Sequence, residues 1–242
     1  MKKSNRWLIP VGIAVAGLVF YALVVEPRWL QVKRTRLYAR RLPYVLNGLR
    51  IVLLPDLNVG GASNAALMRR AARFAMRERA DLIALTGNLT RSRAHHFEDM
   101  LDALSGLTAP LGVYAVPGDH DHRNGIDAWH RAIARCQNIN DLTNAYVVHE
   151  QLGARLCIAG LDDVREGIPE LTLPPAEERD FTILLAHSPD QAAHSREDID
   201  LVLSGRGRFG ARPEVSVLEL SNAPRPRSPQ AQAAYLRRVT PS

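Results

Sequence analysis

Five short apolar runs, each ending at a polar cluster, limit what this chain can fold into more than any other feature. Leu49 to Leu54 stops at Pro55-Asp56-Leu57-Asn58, and Asp81 to Leu85 stops at Thr86-Gly87-Asn88. Gly112 to Val116 runs into Pro117-Gly118-Asp119-His120-Asp121, and Phe181 to Ala186 into His187-Ser188-Pro189-Asp190. Leu201 to Leu203 leads to Ser204-Gly205-Arg206-Gly207-Arg208. Continuous apolar runs of this length read as strands buried on both faces. Helical stretches lie between the early ones. The first is capped at Ser63 or Asn64 and carries a stripe of Leu67, Ala71, Phe74 and Ala75. Two more cover about Phe97 to Leu104 and Ile126 to Cys136. This alternation predicts an α/β fold with a mostly parallel sheet covered by helices, and ligands held at the carboxyl ends of the strands. The five polar clusters therefore converge on one rim.

The second half is richer in strands. Tyr146 to His149 and Arg155 to Ala159 pattern as a hairpin around Gly153, and Val215 to Leu220 as a last strand. The tail from Asn222 is rich in Pro, Arg and Gln, a composition that predicts disorder. Cys136 and Cys157 have no metal-type spacing and read as buried core thiols.

Charge is distributed unevenly. Nine Lys and Arg residues against the single acid Glu26 give residues 1–41 a surplus of eight, whereas the whole chain carries +6, so the remainder is acidic by two. The basicity thus belongs to the N-terminal end and does not form a nucleic-acid-binding face. From Trp7 to Val25 no residue is charged, and a helix of that length spans about 28 Å, close to the hydrocarbon thickness. The domain plan is an N-terminal transmembrane anchor over residues 1–27, a basic juxtamembrane linker over 28–48, an enzyme-like domain over 49–221 and a tail over 222–242. Three basic residues before the span and six soon after it predict an inner-membrane, single-pass anchor with the domain on the cytoplasmic side. Membrane lipid is then a partner, through the same basic cluster.

The stretches "LRIVLLPDLNVG", "DLIALTGNLT", "YAVPGDHDHR", "IAGLDDV", "LLAHSPD" and "LVLSG", in this order, resemble the calcineurin-like metallophosphoesterases. The similarity covers roughly residues 26–220 and is greatest to the membrane-anchored bacterial branch of UDP-2,3-diacylglucosamine pyrophosphatase type. It implies a four-layer α/β sandwich with two facing sheets. It also implies two divalent metals bridged by a carboxylate, with a bridging water or hydroxide as nucleophile. Such a pair clamps phosphoryl oxygens and lowers the pKa of the attacking water, and the carboxylate offsets the repulsion between the cations.

The resemblance carries the metal-ligand role to Asp56, Asn58, Asn88, Asp119 and His187, and the phosphate-stabilising or leaving-group role to His120. Three of these positions depart from the family pattern. Asn58 stands where the first motif has histidine, Asn88 where the second has the bridging aspartate, and Asp119 where the third has asparagine. The fifth motif, Gly-His-x-His, should follow Ser204, but no histidine occurs after His194. "RFGARPEV" resembles the family's closing strand brought forward by a deletion, which would shorten the second sheet. Arg206 and Arg208 remain near the rim as candidate phosphate-binding residues.

A neutral amide at 88 does not bridge two divalent cations, so at most one Mg, Mn, Fe or Zn ion is expected, or none. The leading expectation is a pseudoenzyme on a phosphoester or pyrophosphate hydrolase scaffold, binding a phosphorylated or lipid-linked pyrophosphate ligand. An active one-metal phosphoesterase and a truncated, decayed product are the alternatives.

Overall fold

A computed structural model describes residues 30–57, 62–90, 96–189, 198–205 and 214–223. The candidate span, Asn58, Arg206, Arg208 and the tail from residue 224 lie outside them. Among the described residues ten strands form two mixed sheets. The larger has the order β1-β10-β2-β3-β4-β5, where β1 is Gln31–Tyr38, β2 Arg50–Leu54, β3 Leu82–Thr86, β4 Val113–Val116, β5 Ile139–Asp141 and β10 Glu214–Ser221. All its pairings are parallel except that between β10 and β2. The smaller has the order β6-β7-β8-β9: β6 Tyr146–Gln151, β7 Ala154–Gly160, β8 Phe181–Ala186 and β9 Leu201–Ser204. The expected hairpin is the antiparallel β6–β7 pair, and the other two pairings are parallel.

Side-chain alternation divides the buried apolar strand residues among three cores. Ile51, Leu53, Leu82 and Ala84 of the larger sheet meet Leu156, Ile158, Phe181 and Ile183 of the smaller one. Their strand neighbours Val52, Leu54, Ile83 and Leu85 face the opposite way, onto the helices. Those helices are α1 (Ala62–Arg77), α2 (His96–Leu104) and α3 (Asp119–Arg135). Cys157, Ala159, Leu184 and Ala186 form the third core beneath Leu171 and Leu173. Among the described residues, Leu161 and Ile199 also pack on that outer face, and most of the β8–β9 connection, residues 190–197, lies outside them. Both cysteines are buried and unpaired, and burial pushes the Cys157 thiol up to about 11.

Two sequence expectations change here. Gln31–Tyr38, inside the segment read as a linker, is a full strand paired residue for residue with β10. Its charges suit a sheet edge, where Lys and Arg discourage further strand addition. They also find acids: Arg36 pairs closely with Glu219, and Arg34 with Glu78. The helix expected from Ile126 begins earlier, at Asp119, because non-helical Gly125 divides it (φ 112°, ψ 94°) and only its second half shows an apolar stripe. No helix among the described residues is long and apolar enough to cross a membrane.

Phe181, 1 % exposed between the sheets, tests whether this core is well packed. Phe181→Ala should cost about 3–5 kcal/mol in urea unfolding of an otherwise cooperative transition. A gradual, non-cooperative melt of the parent chain would favour the decayed-product reading.

Candidate functional site

The rim is built where the loops after β3 and β4 touch. Gly87 takes a positive φ of 84°, and a Cβ there would stand 2.6 Å from the Gly118 nitrogen. A Cβ on Gly118 would stand 2.5 Å from Asn88 Oδ1. Only glycine at both positions allows the two backbones to approach so closely. The contact is fastened by Asp121, which is fully buried at the third position of α3. Its Oδ2 accepts from the N–H groups of Gly118 (3.1 Å) and Leu89 (3.3 Å). Its Oδ1 accepts from the Thr90 N–H (3.1 Å) and hydroxyl (3.3 Å). Burial pushes the Asp121 carboxyl above the ordinary range despite these donors.

This clamp sets Asn88 against the histidines. Asn88, itself at a positive φ of 52°, accepts the His120 backbone N–H on Oδ1 at 2.9 Å. Its Nδ2 therefore faces His187 Nε2, 3.1 Å away. His187 follows β8, is 4 % exposed, and its Nδ1 lies 2.9 Å from the Thr86 carbonyl. A carbonyl only accepts, so Nδ1 carries the proton and Nε2 presents its lone pair to the Asn88 amide. Two backbone groups thus fix the orientation of both side chains.

Asp119 Oδ1 lies 3.4 Å from His187 Nε2, and its other oxygen forms a close ion pair with Arg123. Burial acts to raise the Asp119 carboxyl. The Asn88 hydrogen bond and the neighbouring His120, Arg123 and His187 outweigh it and hold the group below its usual value. His120 Nδ1 is buried without a hydrogen-bond partner among the described residues. Asp56, half-buried at the end of β2, adopts a positive φ of 46°. Gly205 packs over the same rim, where a Cβ would stand 2.5 Å from Thr86 Oγ1 and 3.0 Å from Pro55.

Asn88, Asp119, His120 and His187 are therefore brought together, with Asp56 and Gly205 on adjoining strand ends. Sequence reasoning missed Asp121, although an acid three residues after a helix start is a capping signal. It also missed Asp162, whose Oδ1 lies 2.5 Å from His122 Nε2 while its Oδ2 accepts the Ile168 N–H. Nothing local announces that pairing. His130 and His149 are likewise held by Asp141 and Tyr114.

The donor set does not fit a metal pair. The lone pair of His187 Nε2, given a metal-ligand role by resemblance, accepts an amide proton from Asn88. The Asn88 oxygen that would face a cation is taken by the His120 N–H. Among the described residues no group of three or more His, Cys, Asp or Glu side chains is arranged to hold a metal ion.

No family model matches the chain. It is similar to the transmembrane protein with metallophosphoesterase domain of Danio rerio, at 28 % identity over 231 residues covering 89 % of this chain and 53 % of that one. The protein of the same name from Bos taurus is 31 % identical over 189 residues, covering 70 % and 42 %. The metallophosphoesterase YkuE of Bacillus subtilis (strain 168) is 26 % identical over 225 residues, covering 87 % and 79 %. The chain spans about half the length of the first curated relatives it matches.

If Asp121 joins the two loops, Asp121→Ala should lower stability by about 3 kcal/mol, since several buried donors lose their acceptor. Asp119→Ala, which removes an ion pair to a half-exposed Arg123, should cost under about 1 kcal/mol. Equal losses in urea unfolding would contradict the assignment.

Proposed function

We propose that this chain, a member of the metallophosphoesterase family, is a membrane-tethered binding module that keeps the family's rim without two-metal hydrolysis. The Asn88–His187 hydrogen bond carries this reading. An aspartate at 88 would turn its own lone pairs toward that of His187, a repulsion that a cation relieves. The asparagine relieves it with a proton, so the rim is satisfied without metal.

What remains suits holding a phosphorylated ligand more than cleaving it. His120 offers a buried nitrogen without a partner among the described residues, and in the sequence Gly205 is followed by Arg206 and, two residues later, Arg208. A lipid-linked pyrophosphate is the ligand class favoured by a tether. The uncharged stretch from Trp7 to Val25 supports that tether, as do the names of the Danio and Bos relatives. So does the register of the larger sheet. Lys33 is level with Ser216 and Ser216 with Leu53, so continuing the register brings Leu30 level with Asp56. The polypeptide enters β1 at the same sheet end as the rim, on the cytoplasmic side if the basic flanks set the topology.

A second reading, a single ion held by Asp56, Asp119 and His187, is favoured by the depressed Asp119 carboxyl, which stays anionic. The purified full-length chain should show no turnover of bis(p-nitrophenyl) phosphate with Mg²⁺ or Mn²⁺ above a blank. Metal-dependent turnover abolished by Asp56→Ala would overturn the binding reading, and a stoichiometric ion by elemental analysis would favour the one-metal enzyme.

Asn88→Asp gives an independent check. In chelator it should lose about 1–3 kcal/mol of stability, and added Mn²⁺ should recover part of that loss. If it melts like the parent in chelator, the hydrogen bond does not have the role given to it.

A further inference from the structure

Resting on the tether reading above, we propose that the groove between β1 and α1 docks the phosphate headgroups of anionic phospholipids and holds the domain against the bilayer. The groove has a volume of about 310 Å³ and is lined by Leu30, Val32, Arg70, Arg73, Phe74 and Arg77. The three arginines recur at spacings of three and four, which places them on one face of α1 over about 10 Å. All three are exposed, and none has an acidic partner among the described residues. Their neighbour Arg69 is different: it reaches Asp102 at 3.4 Å. Glu78, just beyond the end of α1, is already paired with Arg34, whose guanidinium also lies 5.6 Å over the Phe74 ring.

Like charges at this spacing on a helix repel, and nothing described in the domain offsets them. An anion does. Guanidinium forks match phosphate oxygens in geometry as well as charge. Leu30, Val32 and Phe74 give the groove an apolar floor against which glycerol and the first acyl carbons can rest.

The source of the phosphate follows from position. Leu30, the groove residue just before β1, lies only five residues after Val25, so at most about 17 Å of chain separates the groove from the candidate span. Basic groups held that close to an anionic leaflet stay near its surface potential, which decays over about 8 Å at physiological salt. Nucleic acid, the other common polyanion, is disfavoured because the chain beyond residue 41 is acidic overall.

The test uses the full-length chain in nanodiscs of phosphatidylcholine alone, or with about one-third phosphatidylglycerol. Backbone hydrogen exchange is followed over Ala62–Arg77. Exchange should slow about tenfold on the anionic discs only. High salt should remove the effect, as should the combined Arg70→Gln, Arg73→Gln and Arg77→Gln changes, whose exposed positions leave the melting transition unchanged. Inorganic phosphate added to phosphatidylcholine discs should not reproduce it. Equal exchange on both discs overturns the proposal, as does persistence in the triple variant or the same slowing by inorganic phosphate. The tether is read separately. If alkaline carbonate strips the chain from membranes, the tether reading falls, and flotation of the same protein with phosphatidylglycerol vesicles still decides the groove: flotation lost in the triple variant sustains it, and no flotation refutes it.

Discussion

Asp121 accepts from the backbone of Gly118, Leu89 and Thr90 and from the Thr90 hydroxyl, and so joins the loops after β3 and β4. Every later feature of the rim depends on that joint. With Gly87 and Gly118 in van der Waals contact, the Asn88 side chain has one place to go, between the His120 N–H and His187. The raised Asp121 carboxyl shows that four donors do not wholly offset the desolvation of a fully buried acid. The fold tolerates that cost at the point where the loops after β3 and β4 must be held together. Rim geometry of this kind is set before any ligand arrives, which is what a binding site requires.

The chemistry of position 88 then decides between two ways of satisfying the same lone pair. A carboxylate beside a neutral imidazole nitrogen, with Asp119 3.4 Å from that nitrogen, concentrates negative potential and calls for cations. An amide in the same space presents a donor, and the demand disappears. Exchanging one carboxylate oxygen for an amide nitrogen requires no rearrangement of the backbone, so fold and chemistry are separable at this position. Arg123 extends this logic outward. It neutralises Asp119 directly and lies 3.6 Å from Glu166, so the acid opposite His187 is already compensated from the protein side.

How much of this was legible in the sequence depended on how local the signal was. Phe181–Ala186 is a strand at the expected bounds because five of its six residues are apolar and the run stops at a polar cluster. The hairpin was legible because Gly153 supplies the positive φ its turn requires. β1 was not, since its Lys and Arg residues look like a solvated linker until Glu78 and Glu219, far along the chain, are seen to meet them. β5, three residues long, is too short to show a period. Asp119, Asn88, His120 and His187 could be drawn toward one rim from strand ends alone. The hydrogen bonds that determine their chemistry could not, because they depend on which backbone carbonyl faces His187 and which N–H faces Asn88.

Treating residues 28–48 as a strand-bearing part of the domain also changes what a tether can do. A flexible linker would let the domain tumble, and the bilayer would then act only as a local concentration of lipid. If the domain is tethered through its N-terminal side, the connection ends in an edge strand paired over eight residues with β10. Such a tether would limit the domain to orientations in which the start of β1 points back toward the span. In the tethered arrangement proposed above, the rim, level with that start, and the arginine groove, lying along the same strand, would face lipid together. A ligand carrying both a phosphate and an acyl chain would reach the rim by a short lateral path along the surface the groove holds. Diffusion through water would not have to deliver it, and modest affinity at the rim would suffice.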